Sequence, residues 1–127
     1  FSSMTDELDF DVSILVDVSN MSHIMAEHDL CIGAAGSTSW ERCAMAMPAL
    51  NVVLADNQIV IAEQLQSHGA AINLGRLDEF TANDLLSKLK GFLSGKAYMD
   101  MVEKNIRVCD GEGCLRILNK VCGVKIC

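Results

Sequence analysis

Two glycines, a run of hydroxyl side chains and one carboxylate stand close together in the stretch Leu30 to Glu41, which reads LCIGAAGSTSWE. An apolar strand there runs into a glycine-rich turn and then into a helix opened by hydroxyl residues. Gly33 and Gly36 carry no Cβ, so the backbone is free to turn sharply and to approach a ligand closely. The amides of Ser37 to Trp40 are then the unpaired donors of a starting helix. Donors arranged in this way suit an anion, and a diphosphate is the expected guest. Glu41 follows Ser37 by four residues and projects from the same helix face, where a carboxylate can accept two ribose hydroxyls. A second polar cluster, Asp56-Asn57-Gln58, comes after the next apolar strand and is expected on the same edge of a parallel sheet.

The chain that must position these groups has 127 residues, enough for one domain spanning 1–127 that buries roughly two thirds of its unfolded surface. Half of it is hydrophobic. No apolar run nears the ~20 residues of a membrane span, so no membrane partner is expected. The opening FSSMTDELDFD has neither the basic start nor the apolar core of a secretion signal, and a first residue of Phe1 is expected of a fragment or processed product. A net charge of −7 argues against nucleic acid, which attracts clusters of Lys and Arg. The same charge repels a nucleotide at long range, so binding must come from local amides and from basic groups on another segment.

Elements can be assigned from periodicity and punctuation. Ser13-Ile14-Leu15-Val16 reads as a short strand, Met21 to His28 as a short helix and Leu30-Cys31-Ile32 as the next strand. The helix from about Thr38 ends before Pro48, because proline disfavours helical geometry at Met47. Leu50 to Leu54 is apolar on both faces, as buried parallel strands are. Asn57 to Ser67 reads as a helix stopped by Gly69 in a left-handed cap, and Ala71 to Leu74 as the last strand, closed by Gly75. Thr81 with Asp84 forms a capping box for a helix ending near Phe92, with Leu85, Leu86 and Leu89 as its stripe. Further helices span about Gly95 to Arg107 and about Gly111 to Val121. Strands alternating with helices, then helices alone, predict an α/β fold with a parallel sheet, flanking helices and right-handed crossovers. Ligands of such sheets bind beyond the carboxyl ends of the strands, at a reversal of strand order. A doubly wound domain usually has about six strands, and with four visible the missing ones are expected before Phe1.

The segments IGAAGSTSWERC, MPALNVVLADNQ, IAEQL and GAAINLG, preceded by VDVSNMSHIMAEHDL, together resemble the nucleotide-sugar hydrolases of pseudaminic acid biosynthesis. The resemblance runs from about Val12 to Gly75 and is looser in the C-terminal helices. More distantly the chain is similar to the nucleotide half of the peptidoglycan N-acetylglucosaminyltransferases, which share the two-domain GT-B architecture. The resemblance implies a Rossmann-like C-terminal domain that holds UDP and releases it from a 2,4-diacetamido-2,4,6-trideoxy sugar. Gly36, Ser37 and Thr38 match the diphosphate loop, Glu41 the ribose-binding acid, and Val18 the position whose backbone meets uracil. Asn57 and Gln58 match the polar pair facing sugar and phosphates. The catalytic histidine belongs to an N-terminal domain without counterpart here, so no catalytic residue and little activity are expected of the chain alone. The implied partner is a UDP-sugar, with no cofactor and no metal.

Other readings stand beside this one: the nucleotide half of a glycosyltransferase, and a noncatalytic nucleotide-binding or assembly module. Asn57 suits a helix cap as well as a ligand contact. Trp40 suits packing between helix and sheet better than contact with a base. His23, His28 and His68 read as solvated, and the methionines as core filler. Six cysteines, two of them inside apolar elements, read as reduced and cytoplasmic. The spacing Cys109-x4-Cys114-x7-Cys122-x4-Cys127 is marginal for zinc, whose paired ligands usually stand two to four residues apart. With earlier strands missing, Ser13 to Val16 is expected to become an exposed apolar edge and to favour a homodimer.

Overall fold

The computed structural model of the chain describes residues 11–123. Its sheet has three parallel strands, β1 (Cys31–Ala34), β2 (Ala49–Val53) and β3 (Ile72–Arg76), hydrogen-bonded in that order. Helix α1 (Met21–Ala26) precedes β1, and α2 (Thr38–Ala44) joins β1 to β2. A 3-10 turn (Asp56–Gln58) leads into α3 (Ile59–Ser67), which joins β2 to β3. Three helices follow, α4 (Ala82–Leu93), α5 (Ala97–Val108) and α6 (Gly113–Cys122). This is the α/β fold expected, a parallel sheet with flanking helices, and most boundaries fall within about two residues of those read from the sequence.

β2 is buried at every position, which explains why its sequence shows no alternation. Leu50 and Val52 point to one face, where they meet Leu74, Phe92 of α4 and Met101 of α5. Ala49 points to the other, against Cys43 of α2 and Leu65 of α3. Val53, on that face too, packs on Ala35 and Ala62. α5 serves both layers: Met101 lies in the first cluster, Val108 in the second, and Asn105 Nδ2 donates to Met47 O at 3.1 Å.

The helix ends follow local chemistry. Thr81 accepts from the Asp84 amide while the Asp84 carboxylate accepts from the Thr81 amide, a reciprocal cap for α4. Gly69 ends α3 with φ +67, and its amide and that of Ala70 close on Gln66 O and Leu65 O. Lys104 lies against this glycine, its Nζ 2.8 Å from where a Cβ would stand. α2 ends earlier than Pro48 requires, because Ala46 adopts φ 55 and the same pair of bonds forms, Ala46 N to Cys43 O and Met47 N to Arg42 O.

The expected strand Ser13 to Val16 is absent: these residues are irregular, and Ile14, Leu15 and Val16 are 54%, 60% and 77% exposed. Among the described residues β1 pairs with β2 alone, so no neighbouring strand offers the ladder an apolar tetrapeptide needs to become β. With no strand at residues 13–16, the expected homodimer has no edge there on which to form. Sequential strand order also means that no reversal occurs among the described strands.

Two expectations test this packing. Leu50→Ala, at a fully buried site, should cost about 2–5 kcal/mol in urea unfolding, whereas Ile117→Ala, 64% exposed on α6, should change stability by less than about 0.5 kcal/mol. Burial, with the neighbouring Cys109, pushes the Cys43 thiol up to about 11. Alkylation at pH 8 followed by peptide mapping should therefore label the exposed Cys114 and Cys122 quickly and leave Cys43 unmodified in the folded chain.

Candidate functional site

The loop between β1 and α2 takes its shape from four main-chain bonds. Ala35 N donates to Val52 O at 3.0 Å, holding the chain on the sheet one residue past β1. Ser39 N then donates to Gly36 O at 3.0 Å and Trp40 N to Ser37 O at 3.1 Å, so the first turn of α2 closes tightly on itself. Further along, Met45 N reaches Glu41 O at 3.0 Å. The amides of Gly36, Ser37 and Thr38 are left without a hydrogen-bond acceptor among the described residues. The free donors thus sit earlier than the expected set of Ser37 to Trp40, because i to i+3 bonds consume the last two. Ser37 is already helical at φ −57 and ψ −34, and its hydroxyl makes no cap bond.

The two glycines differ in role. A Cβ on Gly36 would meet only Gln58 Nε2, at 4.0 Å, so the space before the loop is open on that side. A Cβ on Gly33 would stand 3.0 Å from Arg42 Nη1. Gly33 therefore makes room for a guanidinium and not for a ligand, correcting the reading of both glycines as ligand-facing.

The second polar cluster does lie beside the loop. Gln58 Oε1 accepts from the Leu54 amide at 2.9 Å, which fixes the side-chain amide and turns its Nε2 toward Gly36. Asp56 is engaged elsewhere: its carboxylate binds Arg76 Nη1 at 2.6 Å and holds that guanidinium above its ordinary pKa. Asn57 is exposed and caps nothing, since the N-cap of the turn is Ala55. Arg76, at the carboxyl end of β3, is a cation the sequence reading passed over. Its position directly after a strand-ending glycine was the available signal.

Glu41 is exposed and lines a cleft of about 390 Å³ between α1 and α2, with Ser19, Met21, Ser22, Met25, Ala44 and Met45. Val18, half-buried, immediately precedes Ser19 of that cleft and follows Asp17, whose φ of 53 bends the chain in a way Asp tolerates. Glu41 thus lines this cleft and Val18 stands next to its Ser19, while the loop residues Gly36 to Thr38 do not line it. Trp40 does not line it either. Its ring lines a different cleft, about 470 Å³, between α2, α3 and α5, with Gln64, His68 and Lys104. This larger cleft touches none of the loop amides. His28 Nδ1 bonds to Ile24 O at 2.6 Å and His68 Nδ1 to Gln64 O at 2.8 Å, both exposed at helix ends.

Under the loop lies Arg42, 3% exposed. Its Nη2 donates to Ala34 O at 2.8 Å, Ser39 Oγ at 2.7 Å and Asn51 Oδ1 at 3.1 Å, and its Nη1 to Cys31 Sγ at 3.3 Å. No carboxylate pairs with it among the described residues. Its Nε and Asn51 Nδ2 have no acceptor among the described residues. The described residues gather no group of three His, Cys, Asp or Glu that could hold a metal, and Cys127 lies outside them. No helix among them is long and apolar enough to cross a membrane.

Comparison with known families gives a match over residues 5–108 to the model described as the glycosyltransferase family 28 C-terminal domain. The search of curated proteins gives no match. The family match overturns the expectation of a UDP-sugar hydrolase, since it points to transfer of a sugar and not to its hydrolysis. With the match spanning most of the chain, and a parallel sheet bearing its polar groups at the carboxyl ends of the strands, the chain belongs to the glycosyltransferase family 28 C-terminal domain family.

Proposed function

We propose that the chain is the nucleotide-sugar-binding part of a GT-B glycosyltransferase and that its donor is a UDP-sugar. In this reading the amides of Gly36, Ser37 and Thr38 hold the diphosphate, with Gln58 Nε2 as a further donor beside Gly36. Glu41 accepts the ribose hydroxyls, the main chain at Val18 meets uracil, and Asn57 and Gln58 face the sugar and its phosphates. The observation that carries the reading is the pairing of three amides with a carboxylate one helical turn away, all of them unpartnered among the described residues. Residues 1–127 then act as one UDP-binding domain, and the acceptor and the groups that activate it come from elsewhere. The five cysteines among the described residues are all free, which supports a reducing, cytoplasmic setting.

The chemistry follows from where charge grows. In transfer, the bond from the anomeric carbon to the β-phosphate oxygen breaks and its electron pair leaves with UDP. The acceptor hydroxyl oxygen bonds to that carbon and gives up its proton. Negative charge accumulates on the diphosphate, so N–H donors already aimed there stabilise the transition state more than the ground state. An acidic chain can do this because the donors act at hydrogen-bond distance, where its long-range field counts for less.

Calorimetric titration with UDP tests the reading. The chain should bind UDP weakly, in the range of about 0.1–1 mM, since one domain covers part of the ligand. Gly36→Val, which fills the space before the loop, should weaken binding about tenfold or more. Glu41→Gln should weaken UDP about tenfold yet leave 2′,3′-dideoxy-UDP unchanged, because a charge-assisted hydrogen bond contributes about 1.5–3 kcal/mol. No UDP binding at 10-fold higher concentration, or equal losses for both nucleotides, would refute the assignment.

A further inference from the structure

We propose that Arg42 is the positioning residue of the anion loop: one buried guanidinium ties the two ends of the loop together and sets an unneutralised positive charge behind its amides. The inference rests on the reading of Gly36 to Thr38 as an anion site, and it adds a group that the sequence reading sought on another segment.

The geometry is specific. Nη2 bonds at once to the carbonyl of Ala34, where the chain enters the loop, and to the hydroxyl of Ser39, where it leaves. Asn51 Oδ1, from the central strand, holds the same nitrogen. The four residues between those anchors, Ala35 to Thr38, include all three free amides. Gly33 is required so that Nη1 can lie against β1, as its missing Cβ shows. Arginine suits this task where lysine does not, because a planar fork reaches several acceptors at fixed angles.

The electrostatics add a second role. The three oxygen acceptors of Arg42 among the described residues, a main-chain carbonyl, a hydroxyl and a side-chain amide, carry no formal charge, so its charge is softened by dipoles and not cancelled. Two buried donors, Arg42 Nε and Asn51 Nδ2, find no acceptor among the described residues, which adds to the positive potential of the cluster. Water screens a 3% exposed group poorly. An anion on the loop is the natural counter-charge, so the buried cation favours a bound diphosphate and the diphosphate in turn favours the buried cation.

The test separates positioning charge from mere packing by using inorganic pyrophosphate, UDP and uridine as probes. Asn51→Asp sets a carboxylate beside the guanidinium while keeping an acceptor at Oδ1. It should unfold in urea no earlier than the parent chain, yet lose about tenfold in affinity for pyrophosphate and for UDP, with uridine affinity unchanged. Arg42→Lys, which keeps the charge but loses the fork, should lose less than Arg42→Met. Should Arg42→Met fail to fold, the Asn51→Asp result alone decides. Pyrophosphate affinity unaltered by Asn51→Asp, or uridine and pyrophosphate weakened equally, would overturn the proposal. If the parent chain binds pyrophosphate but not UDP, the nucleotide reading fails while the role of Arg42 is still decided by the pyrophosphate arm. If it binds neither, both fall.

Discussion

A guanidinium buried without a carboxylate is the constraint around which this domain is arranged. Taking such a charge out of water costs several kcal/mol in general. The fold offsets this with a strand carbonyl, a helix hydroxyl and an asparagine side chain, each from a different element. Those three partners explain otherwise unrelated features: a glycine in the middle of β1, a polar residue in the wholly buried strand β2, and a buried serine at the start of α2. Remove the arginine and each becomes a liability, since Asn51 and Ser39 would be left with unpaired polar atoms in the core.

The same cluster resolves the conflict between an acidic chain and an anionic ligand. Net charge governs the approach of a ligand from a distance, while affinity at contact depends on the few groups within a Debye length, about 8–10 Å. Near the loop those groups are main-chain donors, the side-chain amide of Gln58 and a cation below, with the exposed Glu41 carboxylate one helical turn on. Arg76, farther along the strand ends, is already committed to Asp56. Among the described residues nearly all the acidic side chains are exposed, where solvent and salt mute them.

Much of this was legible in the sequence, for physical reasons. A strand buried on both faces, a glycine-stopped helix and a reciprocal Thr81–Asp84 cap are local rules that tertiary context seldom reverses, and each appears as read. The nearness of Gln58 to Gly36 followed from the parallel topology, which sends successive strands out at the same edge. Other features depend on contacts that no local rule specifies. Which amides remain free turned on two i to i+3 bonds, and the purpose of Gly33 turned on an arginine nine residues later folding inward, against the usual exposure of that residue type. The Ser13 to Val16 segment shows the converse: apolar pattern alone does not make a strand without a neighbour to pair with. Hydrolysis and transfer share UDP as leaving group, so a motif read for the leaving group fits both. The family match supplied that distinction.

Gly69 carries a consequence for how the sequence can change over time. Its left-handed backbone strains nearly every side chain, and this is the fixed obstacle at the position. Lys104, folded over the same spot from α5, meets it only with the far end of an exposed, flexible side chain that can swing into solvent. Exchange at position 69 is thus limited by backbone conformation to glycine and, at some cost, asparagine, while position 104 is free to vary independently.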